Sequence, residues 1–386
     1  MKIACVSIYD PKREKDFGVY THHWIPTLES QFESVDYIHN FRHPLTYPTI
    51  VARAVYYKKL LKKYYSPRTD AILVRDQGRQ LSRKLSKLNI DAVLSLESPA
   101  AQPIAYVDTD KPIVFWESGT FAALVDFYPY YRRSTMCDRT FEDGLANEKS
   151  ALERCRLAVY HSEWAAQSAI QTYGIDPQKI RIVAPGGNFE SNFSIDDVDA
   201  VINARPSDRC KLLFLGVDWE RKGGALAVQV AQQLNDAGLP TELSIVGCDP
   251  PADEPIPDFV KPLGFIYKWS PEGREKMVKL LSESHFLILP TIADCFPLVF
   301  GEVSAFGLPS LSTKVGGVPY AIKDDWNGKT FALEANADEY CAYIMNLFMN
   351  YQAYKELARS TFQEHETRLN WRVATKMVKQ LISELV

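Results

Sequence analysis

The run CFPLVFGEVSAFGLPSLST (295–313) holds one ionisable carboxylate, Glu302, among apolar and small residues, and Asp294 stands directly before it. Taking a charge out of water without partners is costly, so a carboxylate in such a run calls for something polar to meet it. The preceding SHFLILP (284–290) is a short apolar run closed by proline, the pattern of a strand covered on both faces. Pro297 suits the first turn of a helix, and Gly307-Leu-Pro309 suits its end. Asp294 then falls in the loop leaving the carboxyl end of a strand, with Glu302 in the following helix. Ligands of open α/β sheets bind there, and the N–H groups of a helix start can hold an anion. The plainer alternative is a solvated glutamate on a helix edge beside an ordinary loop acid.

A second cluster, GVDWERKGG (216–224), lies between the apolar run KLLFL (211–215) and the amphipathic stretch ALAVQVAQQLNDAG (225–238). Arg221 and Lys222 are read at the start of that helix, where its dipole disfavours cations by roughly 0.3–1 kcal/mol each and an anion would reverse the sign. With Gly216 for a tight turn, and Gly223 and Gly224 open to close approach, a diphosphate is the expected occupant. A solvated surface turn is the alternative. Neither GxxxxGK[ST] nor GxGxxG is present. VGGVP (315–319) sets paired glycines after the next strand, where a plain turn is equally open, and Gly18 lies in the loop after the first strand.

The elements that must position these residues are strands alternating with helix-length amphipathic stretches. Strands are expected at 3–9, 35–41, 91–96, 112–116, 157–160 and 180–183, then at 211–215, 242–246, 260–265, 285–289 and 310–313. Such alternation means βαβ units and parallel sheets. About eleven strands are many for one open sheet, so two Rossmann-like domains are expected. The acidic SIDDVD (194–199) and RPSD (205–208) read as the connection between them. The expected division is 1–190, joined by the C-terminal helix 371–386, and 208–370. The chain beyond about 337 reads as helical, with Asn370 as N-cap of the last helix.

Length and composition bound the function. A chain of 386 residues with 46% hydrophobic content can bury two cores, and a net charge of −4 argues against a general nucleic-acid binder. Seven scattered cysteines, never spaced CxxC, suggest a reduced, cytoplasmic setting. The N-terminus reads as a first strand rather than a signal, and no segment approaches the length of apolar run that spans a membrane.

In this order the motifs resemble family 4 of the glycosyltransferases, retaining enzymes of the GT-B fold. The resemblance rests on AVYHSEWAAQSAIQTYGIDPQKIRIVAPGGN (158–188), LFLGVDWERKGG (213–224), HFLILPTIADCFPLVFGEVSAFGLPSLSTKVGGVP (285–319) and NGKTF (327–331). It implies two Rossmann-like domains with parallel sheets facing across a cleft, the donor on the C-terminal one and the acceptor on the N-terminal one. The implied activity is transfer of a sugar from a UDP- or GDP-linked donor to a hydroxyl of a glycan, lipid-linked or small-molecule acceptor, with no metal and no cofactor. By resemblance Glu302 accepts hydrogen bonds from the ribose hydroxyls, and Asp294 holds hydroxyls of the transferred sugar. Arg221 and Lys222 neutralise the diphosphate, and the backbone amides of Phe296, Leu298 and Val299 complete the contacts. The nucleobase is expected near Cys248 and Phe265–Ile266, and Gly18 approaches from the other domain.

Three departures stand out. The first acid of the family pair is usually Glu, one methylene longer than Asp294; Pro297 stands where Gly is common; and FWESGTF (115–121) lacks the His many relatives carry there. Glu117, Ser118 and Asp126 are the polar groups left for the acceptor side. A catalytically inactive sugar-nucleotide-binding partner of the same fold is therefore the main rival, and an epimerase a lesser one. Asp108-Thr-Asp110 and Asp197-Val-Asp199 match DxD by chance, and His22 and His23 adjoin a helix without metal-ligand spacing. Residues 53–65 read as a helix with lysines at 58, 59, 62 and 63 opposite apolar residues. That helix either packs on the sheet or lies peripherally on an anionic inner membrane surface.

Overall fold

The computed structural model describes residues 1–13, 20–96, 103–189, 191–252 and 256–386. The chain divides into two compact units, Met1–Ala184 with Ala374–Val386, and Pro185–Val373. Each contains one six-stranded sheet, parallel throughout.

The N-terminal unit contains β1 (Lys2–Val6), β2 (Ser34–Ile38), β3 (Ala92–Leu96), β4 (Ile113–Glu117), β5 (Leu157–Tyr160) and β6 (Ile180–Ile182). Their order in the sheet is β2-β1-β3-β4-β5-β6. The central strands β3, β4 and β5 are buried at every residue, as continuous apolar runs covered by helices on both faces should be. Val93 and Phe115 share their core with Val74 and Leu81 of helix Ala71–Leu85 and with Ala151 and Leu152 of helix Asp138–Arg154. This sheet reverses its winding between β1 and β3. Residues 14–19 and 97–102, in the loops leaving those two strands, lie outside the described residues.

The C-terminal unit contains β7 (Cys210–Leu215), β8 (Thr241–Val246), β9 (Val260–Pro262), β10 (Phe286–Leu289), β11 (Ser310–Thr313) and β12 (Gly328–Phe331), in the order β12-β11-β10-β7-β8-β9. The chain winds outward from β7 through β8 to β9 and from β10 through β11 to β12. The reversal therefore falls between the paired neighbours β7 and β10. β12 is absent from the sequence expectation.

Two other expectations change. Residues 194–206 are not an extended connection: Ile195–Ala204 is a helix opened by a reciprocal capping box between Ser194 and Asp197, and it buries Val198 and Ile202 one turn apart. Nor is 53–65 one helix packed on the sheet. An α-helix covers Tyr47–Val55, a π-helical turn follows over Tyr56–Leu60, and Lys62 takes a left-handed backbone with φ 51°. Asn370 caps the last helix, Trp371–Ser383, its side chain accepting from the Val373 N–H at 2.9 Å.

Candidate active site

The loops leaving β7 and β10 converge at the switch point of the C-terminal sheet, the crevice where ligands of this topology bind. After β7 the chain turns at Gly216, and Asp218 caps the short helix Trp219–Lys222, accepting from the Arg221 N–H at 3.1 Å. Arg221 and Lys222 therefore end this helix instead of starting the long one, a placement its dipole favours. The carbonyl of Arg221 accepts from the Ile292 N–H at 2.9 Å and the Thr291 hydroxyl at 3.0 Å, tying the loop after β10 to this helix.

That tie places three charges together. Asp294 is buried and accepts from Arg221 Nη1 at 3.4 Å, and its carboxylate is in direct contact with the Lys222 ammonium. Arg221 also donates to the Ala293 carbonyl at 2.9 Å and to Asp218 at 3.1 Å. The Asp294 carbonyl accepts from the Gly317 N–H at 3.1 Å, so the VGGVP loop fixes the backbone of the acid.

The glycines of this cluster serve the protein's own packing. A Cβ on Gly223, whose φ is 77°, would meet the Pro290 carbonyl oxygen at 2.1 Å, and one on Gly224 would enter the Trp219 ring at 2.3 Å. The expectation that these two leave room for a ligand is thus corrected: Pro290 and Trp219 fill that room. A Cβ on Gly216 would stand 3.1 Å from Lys222 Cγ, so this glycine makes way for the lysine stem.

Eight residues beyond Asp294, Glu302 lies buried in helix Val299–Ser304. It accepts from the Asn188 N–H at 3.1 Å and from Lys268 Nζ at 2.6 Å. Its burial is therefore met from within the unit, by a cation that no local pattern announces. The approach of 185–188 requires small residues, since a Cβ on Gly187 would lie 2.4 Å from the Glu302 nitrogen and one on Gly301 2.7 Å from the Gly187 nitrogen. Phe296 is buried, Leu298 is the N-cap position of this helix and Val299 its first residue. The first N–H groups of a helix lack partners inside it. Phe265 is exposed and lines a cavity of about 490 Å³ with Ile266, Tyr267 and Lys276.

Residues 209–350 match the profile of the family described as glycosyl transferases group 1. Within the C-terminal unit, this stretch is thus similar to the group 1 glycosyltransferases. Curated relatives include the D-inositol 3-phosphate glycosyltransferase of Mycobacterium sp. (strain JLS), 23% identical over 186 residues, 47% of this chain and 42% of the relative. The enzyme of that name from Streptomyces scabiei (strain 87.22) is 27% identical over 187 residues, 45% of this chain and 42% of the relative. The matched stretch thus spans less than half of these relatives. Among solved structures, sucrose-phosphate synthase of Thermosynechococcus elongatus superposes with a TM-score of 0.67 at 16% identity, covering 100% of this chain and 99% of that one. Anabaena HepE in complex with UDP and glucose gives a TM-score of 0.63 at 14% identity, with 100% of both chains covered. At such identities the likeness speaks for the fold, which is GT-B.

In the N-terminal unit, Glu117 ends β4, buried, and its carboxylate accepts from the Ser118 N–H at 2.7 Å and the Ser118 hydroxyl at 2.8 Å. Asp126 is exposed with φ 62°, and accepts from the Arg133 N–H at 2.9 Å across its own loop. Gly18 lies outside the described residues. His161, which follows β5, packs edge-on to Trp116 at 6.2 Å, and burial pushes its imidazole down to about 3. Of the two DxD matches, Asp197 closes the capping box and Asp199 pairs with Arg359 at 2.5 Å. Among the described residues no group of three or more His, Cys, Asp or Glu could hold a metal ion, and no helix is long and apolar enough to cross a membrane.

Proposed function

We propose that this protein is a retaining, metal-independent hexosyltransferase, moving a sugar from a UDP- or GDP-linked donor held by the C-terminal unit to a hydroxyl of a glycan, lipid-linked or small-molecule acceptor. The observation that carries this reading is the meeting of Arg221, Lys222 and Asp294 at the β7/β10 switch point. Two cations at the carboxyl end of a parallel sheet suit a diphosphate, and Asp294 holds their charge until one arrives. Once the diphosphate takes over Arg221 and Lys222, the Asp294 carboxylate is released to accept hydrogen bonds from the sugar. Glu302, now on Lys268 and the Asn188 N–H, takes the ribose hydroxyls in this reading.

The bond from the sugar's anomeric carbon to the phosphate oxygen breaks, and its electron pair leaves on that oxygen, where Arg221 and Lys222 stabilise the growing charge. The acceptor oxygen bonds to the same carbon on the same face, and its proton passes to the departing phosphate. Such a step depends on positioning and charge stabilisation more than on a side-chain base, so the absence of a His in 115–121 does not prevent it. The setting we assign is the building of a polysaccharide from cytoplasmic nucleotide sugars.

A panel of UDP- and GDP-linked hexoses, screened by thermal shift and then incubated with and without acceptors, tests the reading. The expected result is slow release of free sugar without acceptor, an unchanged rate in EDTA, and a product with the donor's anomeric configuration. A sugar nucleotide that raises Tm and is never cleaved would assign the chain instead to an inactive binding partner.

A further inference from the structure

Between Asp36 and Asp70 the chain has no acidic residue, although it carries Arg42, Arg53, Lys58, Lys59, Lys62, Lys63 and Arg68 in a protein of net charge −4. The same segment gathers large apolar side chains at the surface. Tyr47, Val51 and Val55 repeat every four residues along helix Tyr47–Val55 and are all exposed, while Ile50 faces inward. The π-helical turn that follows leaves Leu60 71% and Leu61 47% exposed beside the lysines, and Leu45 before the helix is 92% exposed. An ordinary solvated helix face carries polar side chains here. This one interleaves apolar groups with lysines and holds no acid of its own, although Arg53 is met from outside the segment by Asp70 at 2.6 Å.

A polar cavity of about 300 Å³ adjoins this surface and shares Lys58 and Tyr64 with it. Its other walls include Tyr9, beyond β1, and Tyr131, beyond β4, so it lies among loops at the carboxyl end of the N-terminal sheet. Arg68, another of its walls, lies over the Tyr9 ring, 4.9 Å from its centroid.

We propose that residues 45–64 dock the protein on an anionic lipid bilayer, the apolar side chains entering the interface and the lysines meeting the head groups. Charge complementarity selects this occupant: each Lys or Arg at an anionic leaflet strengthens the attraction, and the apolar contacts add area burial to it. The tyrosine-walled cavity then stands beside the lipid surface, within reach of the head group of a lipid seated there. This inference is independent of the transfer reaction, and so is its test.

Full-length protein is floated with vesicles containing about one-third phosphatidylglycerol, and with neutral phosphatidylcholine vesicles. The expected result is binding to the anionic vesicles at low salt, loss at high salt, and none to neutral vesicles. The pair Lys58→Glu/Lys59→Glu should weaken binding about tenfold or more, and Leu60→Ser/Leu61→Ser should also release the protein, each with an unchanged melting curve. Wild-type protein that stays unbound to anionic vesicles at low salt overturns the proposal. So does lipid-free self-association abolished by Leu60→Ser/Leu61→Ser, which would give the surface to a second copy. Should either variant fail to fold, the salt and lipid dependence of the wild type decides.

Discussion

In the C-terminal unit the buried acids meet cations, Asp294 on Arg221 and Lys222, Glu302 on Lys268. In the N-terminal unit Asp70 also pairs with a cation, Arg53 at 2.6 Å, but Glu148, fully buried, meets neutral donors: the Phe121 N–H at 2.8 Å and the Tyr173 hydroxyl. Burial pushes its carboxyl up to about 8, against the pull of those two hydrogen bonds. Glu117 accepts from the N–H and hydroxyl of Ser118. An acid held by cations can trade partners with an anionic ligand, because the cations are satisfied either way. An acid held by neutral donors has no such exchange to make and reads as part of the architecture.

Substitutions separate these two regimes. The largest effect is expected from Lys222→Ala, which removes one of the two cations facing the departing diphosphate. Transfer should fall by about 10²–10³-fold, as for loss of one preorganised donor to a developing charge, measured as kcat/KM with the donor panel. Lys268→Ala leaves Glu302 buried on the Asn188 N–H and should cost about 2–3 kcal/mol of stability in denaturant unfolding. A loss within error would mean that Lys268 leaves Glu302 at little cost.

Glu148→Gln is expected to act in the opposite sense and with pH. Between the ordinary carboxylate range and about 8 the unfolded chain gives up a proton that the folded protein keeps, so wild-type stability declines as pH rises through that window and levels off above it. Glutamine keeps the accepting oxygen and cannot ionise. The variant's Tm should match wild type near pH 5 and exceed it near pH 8; the same difference at both would contradict the neutral assignment. Smallest of all should be Glu117→Gln, altering transfer by less than about tenfold, because its acceptor groups survive as an amide oxygen.

The sequence pattern made eleven of the twelve strands among the described residues legible because buried parallel strands are written as short apolar runs. β12 escaped because GKTF opens with Gly and Lys, has no alternation, and is recognised by its pairing to β11. Helix Ile195–Ala204 carried a readable signal, Ser194 with Asp197 three residues on, but its acidic composition resembled a linker. Asp218 also had a local signature, an Asp ahead of a short helix, and together with the left-handed Gly223 that closes the helix it explains why Arg221 and Lys222 stand at a helix end. Lys268 had none, since its partner lies 34 residues away and only the folded unit joins them. The lysines of 58–63 were visible, whereas the π-helical turn that leaves their apolar neighbours exposed breaks the α period from which their faces were inferred.

The central claim is that Asp294 occupies the two cations in the place of a diphosphate, and calorimetric titration of UDP and GDP into wild type and Asp294→Asn tests it most directly. If the carboxylate competes for Arg221 and Lys222, the variant binds the nucleoside diphosphate as tightly as wild type or more so, while sugar transfer falls steeply. A tenfold or greater loss of diphosphate affinity in a variant that remains folded would contradict the exchange.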